Sequence, residues 1–213
     1  MKYLSIVFFI VVAMVTVVAC GGGAGTGDTP AASKGDDSSG ASEISVNFSA
    51  DEENSPGVFQ LKETVGFISG MRYNAQSTAK LAYVAFANYP VELSPYGAVM
   101  PPKEMDQIAI VVAFKTENKE VPMEQQMEEY NKMTVPTGTY PLSWMGNEKS
   151  VQVSYQVGQK DGVGISGEGA SGNAVLTVST PERVSGSIDF RSEKGSTIKG
   201  TFDVKIEKDF WKR

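Results

Sequence analysis

The chain has 213 residues, 41% of them hydrophobic and 21% charged, which is an ordinary globular balance for one domain with appendages. It contains no histidine and a single cysteine, so a Ser-His-Asp triad, an intramolecular disulfide and a Cys/His-rich zinc site are all excluded, and no cofactor is expected. The formal charge of −6 gives an acidic surface that repels phosphate backbones and argues against a nucleic-acid partner.

Residues 1–20 read MKYLSIVFFIVVAMVTVVAC: one basic residue, Lys2, then an apolar run to Ala19. A positive start, an apolar stretch and a small residue at the cut are the layout of a secretory signal. An uncleaved anchor is the rival, because the run sits at the short end of what spans a bilayer. The last four residues, Val17-Val18-Ala19-Cys20, resemble the lipobox of bacterial lipoproteins. That resemblance implies cleavage between Ala19 and Cys20, a diacylglycerol carried on the Cys20 thiol and often acylation of the new α-amine, with palmitate as the expected chain. Several acyl chains give stable membrane attachment where one alone would not. Gly21, in place of Asp, implies sorting to the outer membrane if the source is Gram-negative, on its periplasmic or its surface face. Losing residues 1–19 removes Lys2 and takes the charge from −6 to −7.

From Gly21 to Glu43 the chain is mostly Gly, Ala, Ser, Asp and Thr, with no large apolar residue to bury. Such a stretch reads as a tether reaching about 25 Å. Asp36 and Asp37 are read as solvated linker acids. The organisation is therefore signal peptide 1–19, lipidated cysteine and tether 20–43, and a folded domain 44–213.

The domain reads as strands. Early candidates are Ile44–Phe48, Val58–Leu61, Thr64–Ser69, Lys80–Asn88 and Gln107–Phe114. The last two are apolar on both faces and belong in the middle of a sheet. Met123, Met127 and Tyr130 fall at helical spacing after Pro122, so a short helix is expected near 122–132 as a packed connection. From residue 150 the alternation is strict: Val151/Val153/Tyr155/Val157, then Ala174/Leu176/Val178, Val184/Gly186/Ile188/Phe190, and Ile198/Gly200/Phe202/Val204/Ile206. Four such segments joined by turns predict a four-stranded antiparallel meander, with Gly158–Gly172 as a loop. The fold class expected is all-β, an antiparallel β-sandwich or barrel.

Gly138-Thr139-Tyr140, Val184-Ser185-Gly186-Ser187 and Gly200-Thr201-Phe202 resemble the "GTY", "VSGxF" and "GxF" pattern of uncharacterised small Gram-negative lipoproteins. Ile188 departs from it where an aromatic is commoner. The resemblance implies a β-rich fold and says nothing of function.

Catalytic motifs are sparse. Gly162–Gly167 matches G-x-G-x-x-G, but a strand follows where a helix would have to receive the phosphate. Ser77–Lys80 and Ser196–Lys199 match S-x-x-K but run into strands, where the serine and lysine face opposite ways. A carboxylate-dependent hydrolase would draw on Glu104, Asp106 or Glu168, acids that read equally well as solvated loop residues. The stronger lead is aromatic: Tyr89, Tyr96, Tyr140 and Trp144 lie in or beside Pro- and Gly-rich loops, as exposed contacts for a protein or glycan, or else as rings capping the core. Tyr89–Lys103 holds four prolines and is long for a plain connection. The expectation is an envelope lipoprotein with a non-catalytic binding domain; a small apolar-ligand carrier with an internal cavity is the alternative.

Overall fold

A computed structural model describes residues 41–52, 54, 57–72, 77–94, 98–122, 124–125, 134–143, 148–165 and 168–207. The chain divides into two units, 1–37 and 38–213, and all described residues belong to the second. The expected helix lies mostly outside them. Glu124 and Gln125 have helical backbone, with Gln125 N donating to Pro122 O at 2.9 Å.

The domain is all-β. Its strands are β1 (Glu43–Asn47), β2 (Glu63–Arg72), β3 (Ser77–Ala87), β4 (Ile108–Lys115), β5 (Lys119–Glu120), β6 (Gly138–Pro141), β7 (Ser150–Val157), β8 (Val163–Gly164), β9 (Ser171–Ser179), β10 (Arg183–Arg191) and β11 (Thr197–Lys205). They form two antiparallel sheets, ordered β1-β11-β10-β9-β6 and β2-β3-β4-β7-β8, with β5 pairing to β3 in the second. Single parallel bridges, Gly66 to Ile206 and Leu142 to Val151, link the sheets at both edges.

Two sequence expectations are corrected. The meander has three strands, β9 to β11, because β7 pairs with β4 and β8 in the other sheet. The long 158–170 connection carries the chain between the sheets, and β8 interrupts it. Val58–Leu61 has no strand pairing: Phe59 turns into the core while Val58 is 84% exposed. The doubly apolar β3 and β4 take the central places expected of them, flanked by β2 and β7.

One face of each sheet builds the core. Val84 and Phe86 of β3, Ile110, Val112 and Phe114 of β4, and Val151, Val153 and Tyr155 of β7 meet Leu176, Val184, Phe190, Ile198, Phe202 and Val204 of the other sheet. Rings cross the gap: Phe114 lies 5.9 Å from Phe202 and 5.3 Å from Tyr140, and Phe86 lies 6.1 Å from Phe202. Edge-on and tilted ring pairs at these separations are favourable. The opposite face of the β9–β11 meander is polar, carrying Asn173, Thr177, Asp189, Lys199 and Thr201. This is the hydrophobic-in, polar-out alternation of an antiparallel sheet with one wet side.

Two glycines let the meander coil tightly. A Cβ on Gly186 would stand 1.9 Å from the Val175 carbonyl oxygen, and one on Gly200 would stand 1.9 Å from that of Glu43. Gly186 sits at the register shift between β10 and β9. Such a shift sharpens local twist. Both contacts are with backbone, so a methyl group at either position forces strands apart. Gly186→Ala is expected to cost about 1–3 kcal/mol, the range for overpacking. Urea denaturation checks this, and a midpoint indistinguishable from wild type would contradict it.

Candidate functional site

The register of the second sheet gathers one set of loops. Glu63 pairs with Ala87, Ala87 with Ala109, and Ile108 with Val157. The start of β2, the end of β3, the start of β4 and the end of β7 therefore share one end. The segments 57–62, 88–107 and 158–162 all emerge there. Among the described residues, the exposed large hydrophobics are Val58, Met100 and Met105, and all three lie on these segments.

Residues 88–94 and 98–107 are held by a set of hydrogen bonds. Asn88 closes its base: its Nδ2 donates to Asp106 O at 2.8 Å, and its Oδ1 accepts from Ile108 N at 2.7 Å. Above the base, Leu93 bridges Val99, Met100 N donates to Glu92 O at 2.9 Å, and Ser94 N donates to Ala98 O at 2.8 Å. This is a short hairpin. Its stem lies on the face of β3 and β4 turned away from the main core, where Tyr89, Val91 and Val99 cluster with Ala87 and Ala109. Alanines at both strand positions leave room for the Tyr89 ring. Val91 N donates to the Glu63 carboxylate at 3.2 Å, tying the hairpin to β2.

Met105 stands on a separate turn. Gln107 Oε1 accepts from the backbone N–H groups of both Lys103 and Glu104, at 2.8 and 3.1 Å, and Gln107 N donates back to Glu104 O at 3.1 Å. Gly158, at φ 54°, lets the next loop approach: a Cβ there would meet Met105 Cα at 3.1 Å. Gly158 N donates to Gln107 O at 2.9 Å, which joins the two loops. Asn54 Nδ2 donates to Asp161 O at 3.3 Å and brings in the segment after β1. The result is a surface displaying Met100 and Met105 on backbone held by hydrogen bonds, with Val58 exposed on the segment that leads into β2. Charged groups surround it. Lys62, Lys103 and Lys160 are outnumbered by Glu63, Glu92, Glu104, Asp106 and Asp161.

The aromatic lead is corrected in part. Tyr89 is only 8% exposed and Tyr140 is fully buried. Neither ring is offered to a partner; both take the core-capping role. Tyr89 anchors the hairpin, and its hydroxyl donates to Met100 O at 3.3 Å. Tyr140 donates to Pro136 O four residues upstream, the hydrogen bond of a tyrosine corner, and Lys149 Nζ sits 4.7 Å from its ring centre. The sequence leaves Tyr140 open between contact and core cap because it lies in a four-residue strand, too short to show alternation. Tyr96 and Trp144 lie outside the described residues, as do Ala19 and Cys20. Glu104, Asp106 and Glu168 are exposed.

Sequence reasoning missed a buried polar cluster. Ser192 Oγ donates to the Glu52 carboxylate and accepts from Ser196 N at 3.0 Å, while Ser196 Oγ accepts from Ser49 N at 2.8 Å. All three side chains are at least nine-tenths buried. They clasp the segment after β1 to the β10–β11 turn. Single serines and one glutamate in loops carry no pattern that would have pointed to this. Among the described residues no group of three or more Cys, Asp or Glu side chains is placed to hold a metal ion.

The chain matches no protein-family model, no curated protein and no solved structure.

Burial pushes the Tyr89 phenol up to about 12 and raises that of Tyr140 as well. An unfolded tyrosine ionises near 10. Above that pH the unfolded chain loses these protons first, so stability present below pH 10 is lost as pH rises toward 12. The urea midpoint is expected to fall across this window, and less steeply in Tyr89→Phe. Identical slopes for the two proteins would show that Tyr89 is not held as described.

Proposed function

We propose that this chain is a bacterial envelope lipoprotein, lipidated on Cys20, whose β-sandwich acts by binding a protein partner through the loop end bearing Val58, Met100 and Met105. The lipid anchor rests on the Val17–Cys20 lipobox resemblance, and the resemblance of the C-terminal half to small Gram-negative lipoproteins agrees with it. The binding reading rests on one observation: the exposed large apolar side chains of the described domain gather on adjoining loops at a single end. Apolar side chains grouped on a surface otherwise polar mark contact sites. Methionine suits such a surface, because its unbranched, polarizable chain adapts to a partner. The surrounding excess of carboxylates favours a protein over anionic lipid. The carrier reading is weaker, because crossing rings of Phe86, Phe114, Tyr140 and Phe202 fill the space between the sheets where cargo would sit.

Two experiments test these parts separately. Cys20→Ala is expected to leave an unprocessed precursor without fatty-acid label; normal cleavage and labelling would refute the anchor. A photo-crosslinking residue at position 105 is expected to give a discrete protein adduct in cells, and one at Thr201 on the opposite polar sheet face is not. Equal adducts from both positions, or none from 105, would refute the binding end.

A further inference from the structure

We infer that Met105, with Met100 as a slower second site, is an oxidation-sensitive switch on this end of the domain. The inference rests on the binding reading above, because the property switched is contact with the partner.

The chain has no histidine, and its one thiol precedes the domain at Cys20. Thioethers are therefore the sulfur groups of the domain that a two-electron oxidant meets. Met105 is 69% exposed and Met100 is 38% exposed. Met105 also cannot withdraw easily. Its backbone is held by the Gln107 hydrogen bonds, and the Gly158 loop closes against its Cα. At 69% exposure the Met105 side chain is reached from solvent by a small oxidant, although its Sδ lies toward Gly158, 3.4 Å from where a Cβ would stand there, whereas a buried methionine must wait for local opening.

The oxidant class is a neutral hydroperoxide. Glu104 and Asp106 flank Met105 directly, so anionic oxidants are repelled. The Sδ lone pair attacks the outer oxygen of hydrogen peroxide. The S–O bond forms as the O–O bond breaks, sulfur loses two electrons, and the departing hydroxide takes the transferred oxygen's proton and leaves as water. The product is methionine sulfoxide, a polar group that sulfoxide reductases return to the thioether. Placed in an apolar contact, the new S–O dipole loses water without gaining a donor.

The test uses the full chain in its membrane, with a photo-crosslinking residue at Val58, so that both methionines remain. Graded hydrogen peroxide should oxidise Met105 before Met100, as mapped by mass spectrometry of peptides. Partner adduct should fall about tenfold with Met105 sulfoxide, the consequence of burying an unpaired dipole. The melting transition should not move, and sulfoxide reductase should restore the adduct. Met105→Leu/Met100→Leu should lose the peroxide response, so that whatever adduct it gives is the same before and after treatment. An adduct unchanged by complete Met105 oxidation overturns the switch while leaving the binding reading intact. So does a lowered melting transition, which assigns the loss to unfolding, or a Met105 that oxidises after the other methionines. Absence of any adduct from the untreated chain overturns the binding reading and the switch with it.

Discussion

The domain depends on the contact of Phe114 with Phe202 and Tyr140 across the two sheets. Among the described residues the bridges between the sheets are Gly66 to Ile206 and Leu142 to Val151, and the facing surfaces between them are apolar. Phe114 stands on β4 between β3 and β7, and Phe202 on β11 between β10 and β1. Truncating a fully buried Phe costs about 3–5 kcal/mol, a large share of what keeps a domain folded. Gly200 and Gly186 serve the same contact, letting β10 and β11 coil so that Phe202 and Phe190 point inward together.

That core frees the loop end to specialise. The strands of the β2–β7 sheet run in register, so their connections are brought together, and side chains within those connections set the shape. Asn88, Gln107 and Glu63 each satisfy backbone N–H groups that a loop would otherwise leave to water. Tyr89 fixes the hairpin by filling the space left by Ala87 and Ala109. A rigid loop loses less conformational entropy on binding than a slack one, which is how pre-organised surfaces gain affinity. The Glu52–Ser192 clasp does comparable work at the start of the domain, seating the segment that leads on from β1.

Most of the fold was legible because alternation is a strong signal where a sheet has one wet face. β9, β10 and β11 were read nearly to their ends from Leu176, Ile188 and Phe202 and their polar neighbours. β3 and β4 were placed centrally because they are apolar on both faces. What failed was pairing. Nothing in Val151–Val157 says that its partner is β4 rather than β9, since alternation reports a face and not a neighbour. Short elements failed as well: β5 and β8 have two residues each, and the exposed Val58 passed for a strand residue because apolar character alone does not show direction. The candidate site was half legible. The 89–103 segment stands out by its length and four prolines, while the sequence leaves Tyr89 open between partner contact and core cap, and its burial makes it the anchor. The exposed methionines went unremarked, since their exposure follows from loop geometry that no local pattern encodes.

In the function we propose, a lipid on Cys20 and a tether hold a sandwich that works through one end. The central claim is that this end is the covered one in the cell envelope. Hydrogen–deuterium exchange on the membrane-held chain, compared with the same chain purified in detergent, tests that most directly. The account predicts added protection on the membrane within 98–107 and 158–161, and none along the polar face of β9 to β11. Protection confined to β9–β11, or equal exchange everywhere, would contradict it.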